Sequence, residues 1–187
     1  MSIIEQILIA LALAMDCFSV SISSGLILKR YDIPSILMMA FCFGFFQALM
    51  PLFGWYGISY YGKYVESFDH WIAFGMLAII GSKMIYDYFK GGGRSSFDPT
   101  KFTVVLLLAI ATSIDAFAVG ISFECMNMKT LGAITSPIII IGVTSFVLSA
   151  IGNIIGVYVG QRFRFPATLI GGIILVGIGI KILIEHL

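Results

Sequence analysis

The chain has 187 residues, of which 59% are hydrophobic and only 11% carry a charge, and its formal net charge is +1. Since about a quarter of the residues of a soluble domain are charged, this composition excludes a soluble protein and indicates an integral protein of the lipid bilayer. The near-neutral charge gives no basis for binding nucleic acid.

Six apolar segments follow one another along the chain, each near the length of about 20 residues that crosses the hydrocarbon core of a membrane. They cover residues 3–28, 34–58, 71–89, 102–123, 131–158 and 166–187. We therefore predict an all-α integral membrane protein with six transmembrane helices. The first segment has no basic leader and contains Asp16, so we expect a retained helix rather than a signal peptide.

Positive residues in the short loops predict the orientation, because Lys and Arg favour the cytoplasmic side. The face opposite to the first loop has only Lys63 and Lys129, whereas the loops after the first, third and fifth segments contain Lys29, Arg30, Lys90, Arg94, Lys101, Arg162 and Arg164. This bias places both termini outside, in a multi-pass protein of the cytoplasmic (inner) membrane.

Two of the apolar segments contain a single aspartate within similar sequences. Residues 10–23 (ALALAMDCFSVSIS) and 109–122 (AIATSIDAFAVGIS) align without a gap, and Asp16 then falls on Asp115. A carboxylate in the hydrocarbon of a bilayer costs about 3 kcal/mol or more, so each aspartate needs a compensating cation or proton. These two residues are the predicted metal site.

The similarity extends to the rest of the chain and predicts an inverted repeat. At an offset of 98, four positions of the first half match the second half: Gly44, Gly54, Tyr60 and Gly62 fall on Gly142, Gly152, Tyr158 and Gly160. We expect three-helix repeats at 1–90 and 102–187, joined by a cytoplasmic linker at 91–101. An odd number of spans inverts the second repeat, and a pseudo-twofold axis in the membrane plane would bring both aspartates together near the midplane.

Six other polar side chains are candidate ligands or pathway residues: Ser19, Ser23, Gln47, Thr112, Ser122 and Asn153. The hydroxyls lie three or seven residues from an aspartate and therefore on its helix face. Oxygen ligands of this kind suit Mn²⁺, Mg²⁺ or Ca²⁺. Alternatively, the hydroxyls bond their own helix and the amides join neighbouring helices. Cys17 points about 100° away from Asp16, so we expect it to pack in the core.

No motif of a hydrolytic or nucleotide-binding site occurs in the sequence. A phosphate-binding loop is absent, and the two histidines, His70 and His186, lie at the expected membrane borders. We therefore expect neither enzymatic activity nor a cofactor, and transport would draw its energy from an ion gradient.

With its paired aspartate motifs, AMDCFSVSIS and TSIDAFAVGIS, and the stretches GFFQALMPLFGWYG and WIAF…GSKMIYD, the chain resembles the MntP family of bacterial manganese efflux pumps. The resemblance covers nearly the whole chain. It implies export of Mn²⁺, with Asp16 and Asp115 as the essential acids. Some members carry glutamate at the position of Gln47, so this chain would have one fewer ionisable group. A related membrane family associated with sporulation shares the repeat.

Our hypothesis from the sequence is alternating access around the two aspartates, with Mn²⁺ as the substrate leaving while protons enter. Export of another divalent cation or of a basic amino acid is an alternative, since two carboxylates would bind either. A non-transporting membrane scaffold, in which the aspartates serve helix assembly, is another.

Overall fold

The computed structural model describes residues 2–61, 98–125, 128 and 130–162, together with 78, 82, 85, 86, 173, 174, 176–178 and 180. Its continuous helices are α1 (Ile3–Leu28), α2 (Ile33–Tyr61), α3 (Phe102–Thr112), α4 (Ile114–Cys125) and α5 (Leu131–Arg162). No strand occurs in this part of the chain, which confirms the prediction of an all-α protein. The predicted third and sixth segments and most of the predicted linker lie outside the described residues.

Among the described residues, four stretches are long and apolar enough to cross a membrane: Ile3–Leu28, Ile33–Gly57, Phe102–Phe123 and Leu131–Arg162. They coincide with the first, second, fourth and fifth apolar segments of the sequence. The chain is therefore a multi-pass membrane protein.

The distribution of side chains is the reverse of that in a soluble protein. Large apolar side chains point outward, and Phe41, Ile139 and Val143 are 63%, 57% and 57% exposed. Polar side chains of the helices lie inside, among them Gln6, Asp16, Ser21, Ser24, Gln47, Thr112, Ser145, Ser149 and Asn153. This arrangement suits a lipid surround, where exposed polar groups would have no water to bond.

Local signals fix both ends of α1. The Ser2 hydroxyl accepts the N–H of Glu5, and the Glu5 carboxylate accepts the N–H of Ser2 in return, which is a capping box. The helix ends at Lys29, which adopts a left-handed conformation with φ 51° and donates its N–H to the Gly25 carbonyl.

The predicted segment 102–123 is two helices rather than one continuous helix. The chain leaves helical geometry at Ser113, with φ −105° and ψ 4°, and the Ser113 N–H donates to the Ile110 carbonyl. The sequence has no glycine or proline at this point, which is why its apolar pattern gave no sign of a break. α3 therefore ends, and α4 begins, in the middle of one membrane span.

Glycines allow the helices to approach backbone to backbone. A Cβ at Gly54 of α2 would fall against the Phe117 carbonyl oxygen of α4, and one at Gly152 of α5 would lie 2.7 Å from the Phe18 carbonyl oxygen of α1. Helix pairs α1–α5 and α2–α4 therefore pack closely through small residues, as membrane helices commonly do.

Just before α3, Asp98 is held by a turn. The backbone N–H and the hydroxyl of Thr100 donate to its carboxylate at 3.0 and 2.6 Å. These bonds, with smaller effects of Lys101 and Arg30, keep the pKa of Asp98 below its usual value. This ordered turn forms the end of the predicted linker that the structure describes.

We predict that Gly54→Ala destabilises the protein because the new methyl group forces α2 and α4 apart, at a cost of about 1–3 kcal/mol. Gly57, on the same helix, has open space where its Cβ would be, so Gly57→Ala serves as the control. This control should be stabilised by up to about 1 kcal/mol, the difference in helix propensity. Thermal unfolding in detergent measures both, and a Gly54→Ala protein as stable as the control would contradict the packing.

Candidate functional site

The two aspartates occupy different local settings. Asp16 lies near the middle of the unbroken helix α1 and is 7% exposed. Asp115 is partly buried in the first turn of α4, directly after the break at Ser113. The sequence alignment pairs these positions, but only the second copy is interrupted.

Side chains replace the missing backbone bond at the break. In a continuous helix the Ala116 N–H would donate to the Thr112 carbonyl. Here it donates to the Asp115 carboxylate at 2.8 Å, and the Thr112 carbonyl instead accepts the amide of Gln47 at 3.1 Å. Asp115 therefore takes up a free N–H at the start of α4, while a carbonyl at the end of α3 turns toward α2.

Gln47 is the side chain that joins α1, α2 and the break. It is fully buried, and its amide nitrogen also lies 3.2 Å from the Cys17 sulfur and 3.4 Å from the Leu13 carbonyl oxygen. The amide oxygen, Oε1, has no hydrogen-bond partner in the described part of the chain. A buried oxygen without a donor is unfavourable, which makes it a candidate ligand for a cation.

Cys17 packs in the core, as the sequence predicts, because its side chain is fully buried in a cluster of apolar residues from α1, α2 and α3. Its sulfur also lies 3.7 Å from the Thr112 hydroxyl and 3.2 Å from the Gln47 amide nitrogen. Cys17 therefore connects this core to the break at Ser113.

The four hydroxyls that the sequence singled out all bond their own helices. Ser19, Ser23, Thr112 and Ser122 donate to the carbonyls of Met15, Ser19, Leu108 and Ala118, at 2.9 to 3.1 Å. This matches the alternative given by the sequence. Each oxygen retains lone pairs after donating its hydrogen, and Thr112 is the one that also contacts Cys17.

Ser113 was missed by the sequence reasoning. Its hydroxyl is fully buried at the break and has no partner among the residues described. The only signal in the sequence was that Ser113 lies two residues before Asp115. In an unbroken helix this spacing would place Ser113 on a different face from Asp115.

Asn153 lies in a different group of side chains. It is fully buried on α5, and its amide nitrogen is 2.9 Å from the Met39 sulfur.

Acidic, histidine and cysteine side chains do not by themselves form a metal site here. Within the described ranges, no three such side chains come together closely enough to hold an ion. A cation at the aspartates would therefore take neutral oxygens as its remaining ligands. Gln47 Oε1, the Ser113 hydroxyl and the Thr112 carbonyl are of the kind that Mn²⁺, Mg²⁺ and Ca²⁺ accept.

Comparison with known proteins identifies relatives along the whole chain. A family model described as "Putative manganese efflux pump" matches residues 30–183. A protein of Phocaeicola vulgatus named "Putative manganese efflux pump MntP" is 52% identical over 187 residues, covering 100% of this chain and 98% of its own length. Proteins of the same name from Bacteroides thetaiotaomicron and Methanosarcina mazei are 51% and 44% identical, covering 98% and 100% of this chain and 97% and 98% of their own lengths. No solved structure matches.

We predict that Gln47→Leu destabilises the protein by about 1–3 kcal/mol, because the buried Thr112 carbonyl loses its donor. Gln161 offers the matched control, since its exposed amide donates to the Lys29 carbonyl at 3.1 Å. The same substitution there should change stability by less than about 0.5 kcal/mol. Unfolding in detergent compares the two, and equal losses would show that Gln47 does not hold the break.

Proposed function

The chain belongs to the MntP family of manganese efflux pumps, and on that premise we propose that it exports Mn²⁺ from the cytoplasm by alternating access. The substrate site is built on Asp16 and Asp115 near the membrane midplane, and Mn²⁺ leaves in exchange for protons. The protein works in the cytoplasmic membrane, with six spans and both termini outside.

The burial of Asp16 is the observation that carries this proposal. A carboxylate that is 7% exposed inside an apolar helix has lost nearly all its hydration. The loss costs about 3 kcal/mol or more in a bilayer, and a bound cation or proton offsets it. Asp115 lies at the break whose Thr112 carbonyl Gln47 connects to Cys17, the residue next to Asp16, and this connection supports a shared, divalent site.

The break at Ser113 supports binding of a cation. Interrupted helices in transporters present backbone carbonyls to ions at the midplane, where a continuous helix has none to spare. Here the end of α3 presents the Thr112 carbonyl, and the free hydroxyl of Ser113 and Oε1 of Gln47 lie beside it. Rearranging the amide of Gln47 would release this carbonyl to an ion.

Equivalent contacts in the two halves support the inverted repeat. Gly54 packs on the Phe117 carbonyl, and Gly152 packs on the Phe18 carbonyl. The two contacts are equivalent under the repeat alignment, because Gly54 aligns with Gly152 and Phe18 with Phe117. A twofold axis between α2 and α5 accounts for both contacts, and alternating access follows when one repeat rocks against the other.

Coupling to protons follows from competition for the same carboxylates. Without a cation, a carboxylate inside a membrane is more stable when it holds a proton. Mn²⁺ compensates both charges at once and displaces the protons. Because the site holds either the metal or the protons when it changes sides, the two fluxes are exchanged.

We predict that Asp16→Asn and Asp115→Asn each abolish Mn²⁺ flux into reconstituted vesicles, because the amide keeps the shape of the side chain but cannot compensate a cation. Asp32→Asn is the control, since Asp32 lies outside the helices just before α2. It should transport like the unaltered protein. Normal flux in both midspan variants would reject the aspartate site.

We further predict that a pH gradient with the vesicle interior acid accelerates Mn²⁺ uptake, because protons leave as the metal enters. A trapped pH indicator should report alkalinisation of the interior that depends on Mn²⁺. Uptake that is indifferent to the gradient, with no change of internal pH, would reject proton exchange while leaving Mn²⁺ transport itself in place.

A further inference from the structure

A second buried polar group lies between α1, α2 and α5, and we call it the Met39 cluster: Ser21, Met39, Ser149 and Asn153. All four side chains are fully buried. The hydroxyls of Ser21 and Ser149 are 2.6 Å apart, and the Met39 sulfur lies 3.9 Å from Ser21 Oγ and 2.9 Å from Asn153 Nδ2. Three helices thus direct donor atoms toward one point.

The cluster is next to the aspartate site. Ser21 follows Cys17 by one turn of α1, and Cys17 contacts both Gln47 and Thr112. The direction is toward the end of α1 at Lys29, the side that the positive loops assign to the cytoplasm. An ion that reaches the aspartates from that side would pass the Met39 cluster.

Buried oxygens on the helices of the cluster lack partners. Asn153 Oδ1 makes no hydrogen bond within the described part of the structure, and neither do the hydroxyls of Ser24 and Ser145, which follow Ser21 by three residues and precede Ser149 by four. A buried polar group without a partner costs about 1–3 kcal/mol unless water or an ion occupies the space beside it. Asn153 Oδ1 is therefore a candidate ligand within the cluster itself.

The two serines of the cluster have no polar counterpart in the other half of the protein. Ser21 and Ser149 align with Gly120 and Pro51, and there a Cβ on the glycine would fall against the Pro51 carbonyl. Close helix contact at this position therefore needs neither hydroxyl.

We propose that the Met39 cluster is a second, weaker station for the transported metal, between the aspartates and the cytoplasmic face. This inference rests on the proposed function. Its ligands are the Met39 thioether, Asn153 Oδ1 and the hydroxyls of Ser21 and Ser149. With metal–oxygen distances of about 2.1 Å, neighbouring octahedral ligands lie about 3 Å apart, and the two serine oxygens are 2.6 Å apart with the Met39 sulfur 3.9 Å from Ser21 Oγ. Asn153 would offer Oδ1 once its amide turns, since Nδ2 is the atom that contacts Met39 in this structure.

These ligands suit a site that selects the metal ion as it passes rather than one that retains it. Four neutral donors bind a divalent ion weakly, so the ion moves on to the carboxylates. A thioether favours transition metals such as Mn²⁺ over Mg²⁺ and Ca²⁺. Carboxylates alone do not strongly distinguish Mn²⁺ from those two ions. The station therefore rejects the abundant hard cations before they reach Asp16.

Met39→Leu tests the proposal in the reconstituted protein, with Mn²⁺ uptake measured against increasing Ca²⁺ or Mg²⁺. Even an outer-sphere partner of a metal is worth about tenfold in affinity, so the concentration of Ca²⁺ that halves uptake should fall by about tenfold. Met38→Leu is the control, because Met38 packs against the same core, and the sulfur bonded to Ser21 and Asn153 in the described structure is that of Met39. A Met39→Leu protein that discriminates as well as the control would overturn the proposal.

Ser149→Ala gives the test a second arm should Met39→Leu fail to fold. It removes one ligand and should raise the Mn²⁺ concentration for half-maximal uptake by about tenfold, while a role in helix packing alone would lower stability and leave that concentration unchanged. The unaltered protein separates the two hypotheses. Its failure to move Mn²⁺ would reject the proposed function. If it transports Mn²⁺ but Met39→Leu keeps its selectivity and Ser149→Ala keeps its half-maximal Mn²⁺ concentration, the station alone is rejected.

Discussion

The cost of holding an ionised carboxylate inside an apolar helix bundle is the constraint on which the rest of this structure depends. Asp16 is buried in the unbroken helix α1, where it is 7% exposed. Asp115 meets the same constraint differently, because the break at Ser113 provides the Ala116 N–H. The two copies of one motif therefore reach unequal solutions, and a cation between them would be held by an asymmetric shell.

The break also needs a partner for the carbonyl that it releases, and Gln47 provides one. Its amide connects the Thr112 carbonyl to Cys17 and α1, so the broken helix is held by a neutral side chain from the other half. Because Gln47 is neutral, its hydrogen bonds can break without leaving an unpaired charge inside the membrane. In the mechanism we propose, the Gln47 amide moves away from the Thr112 carbonyl, and the ion then binds to that carbonyl.

The interfaces between helices contain close backbone contacts at glycines and, at other places, contacts between polar side chains. Gly54 and Gly152 bring backbones together at equivalent places in the two halves. Superposed on this near-symmetry, the Met39 cluster places two hydroxyls where the other half has Gly120 and Pro51. In the mechanism we propose, the near-symmetry allows the exchange between two access states, and the cluster filters ions on the cytoplasmic side of the aspartates.

The sequence by itself determined the all-α membrane character, four of the spans now seen and the packing of Cys17 in the core, because apolar length and apolar surroundings are properties of a continuous stretch of chain. It did not determine the break at Ser113, the bridging role of Gln47 or the Met39 cluster. Those depend on side chains 30 to 114 residues apart, as in the bonds from Gln47 to Cys17 and from Asn153 to Met39. Only packing decides which buried polar atoms meet, since local pattern carries no information about the partner across the interface.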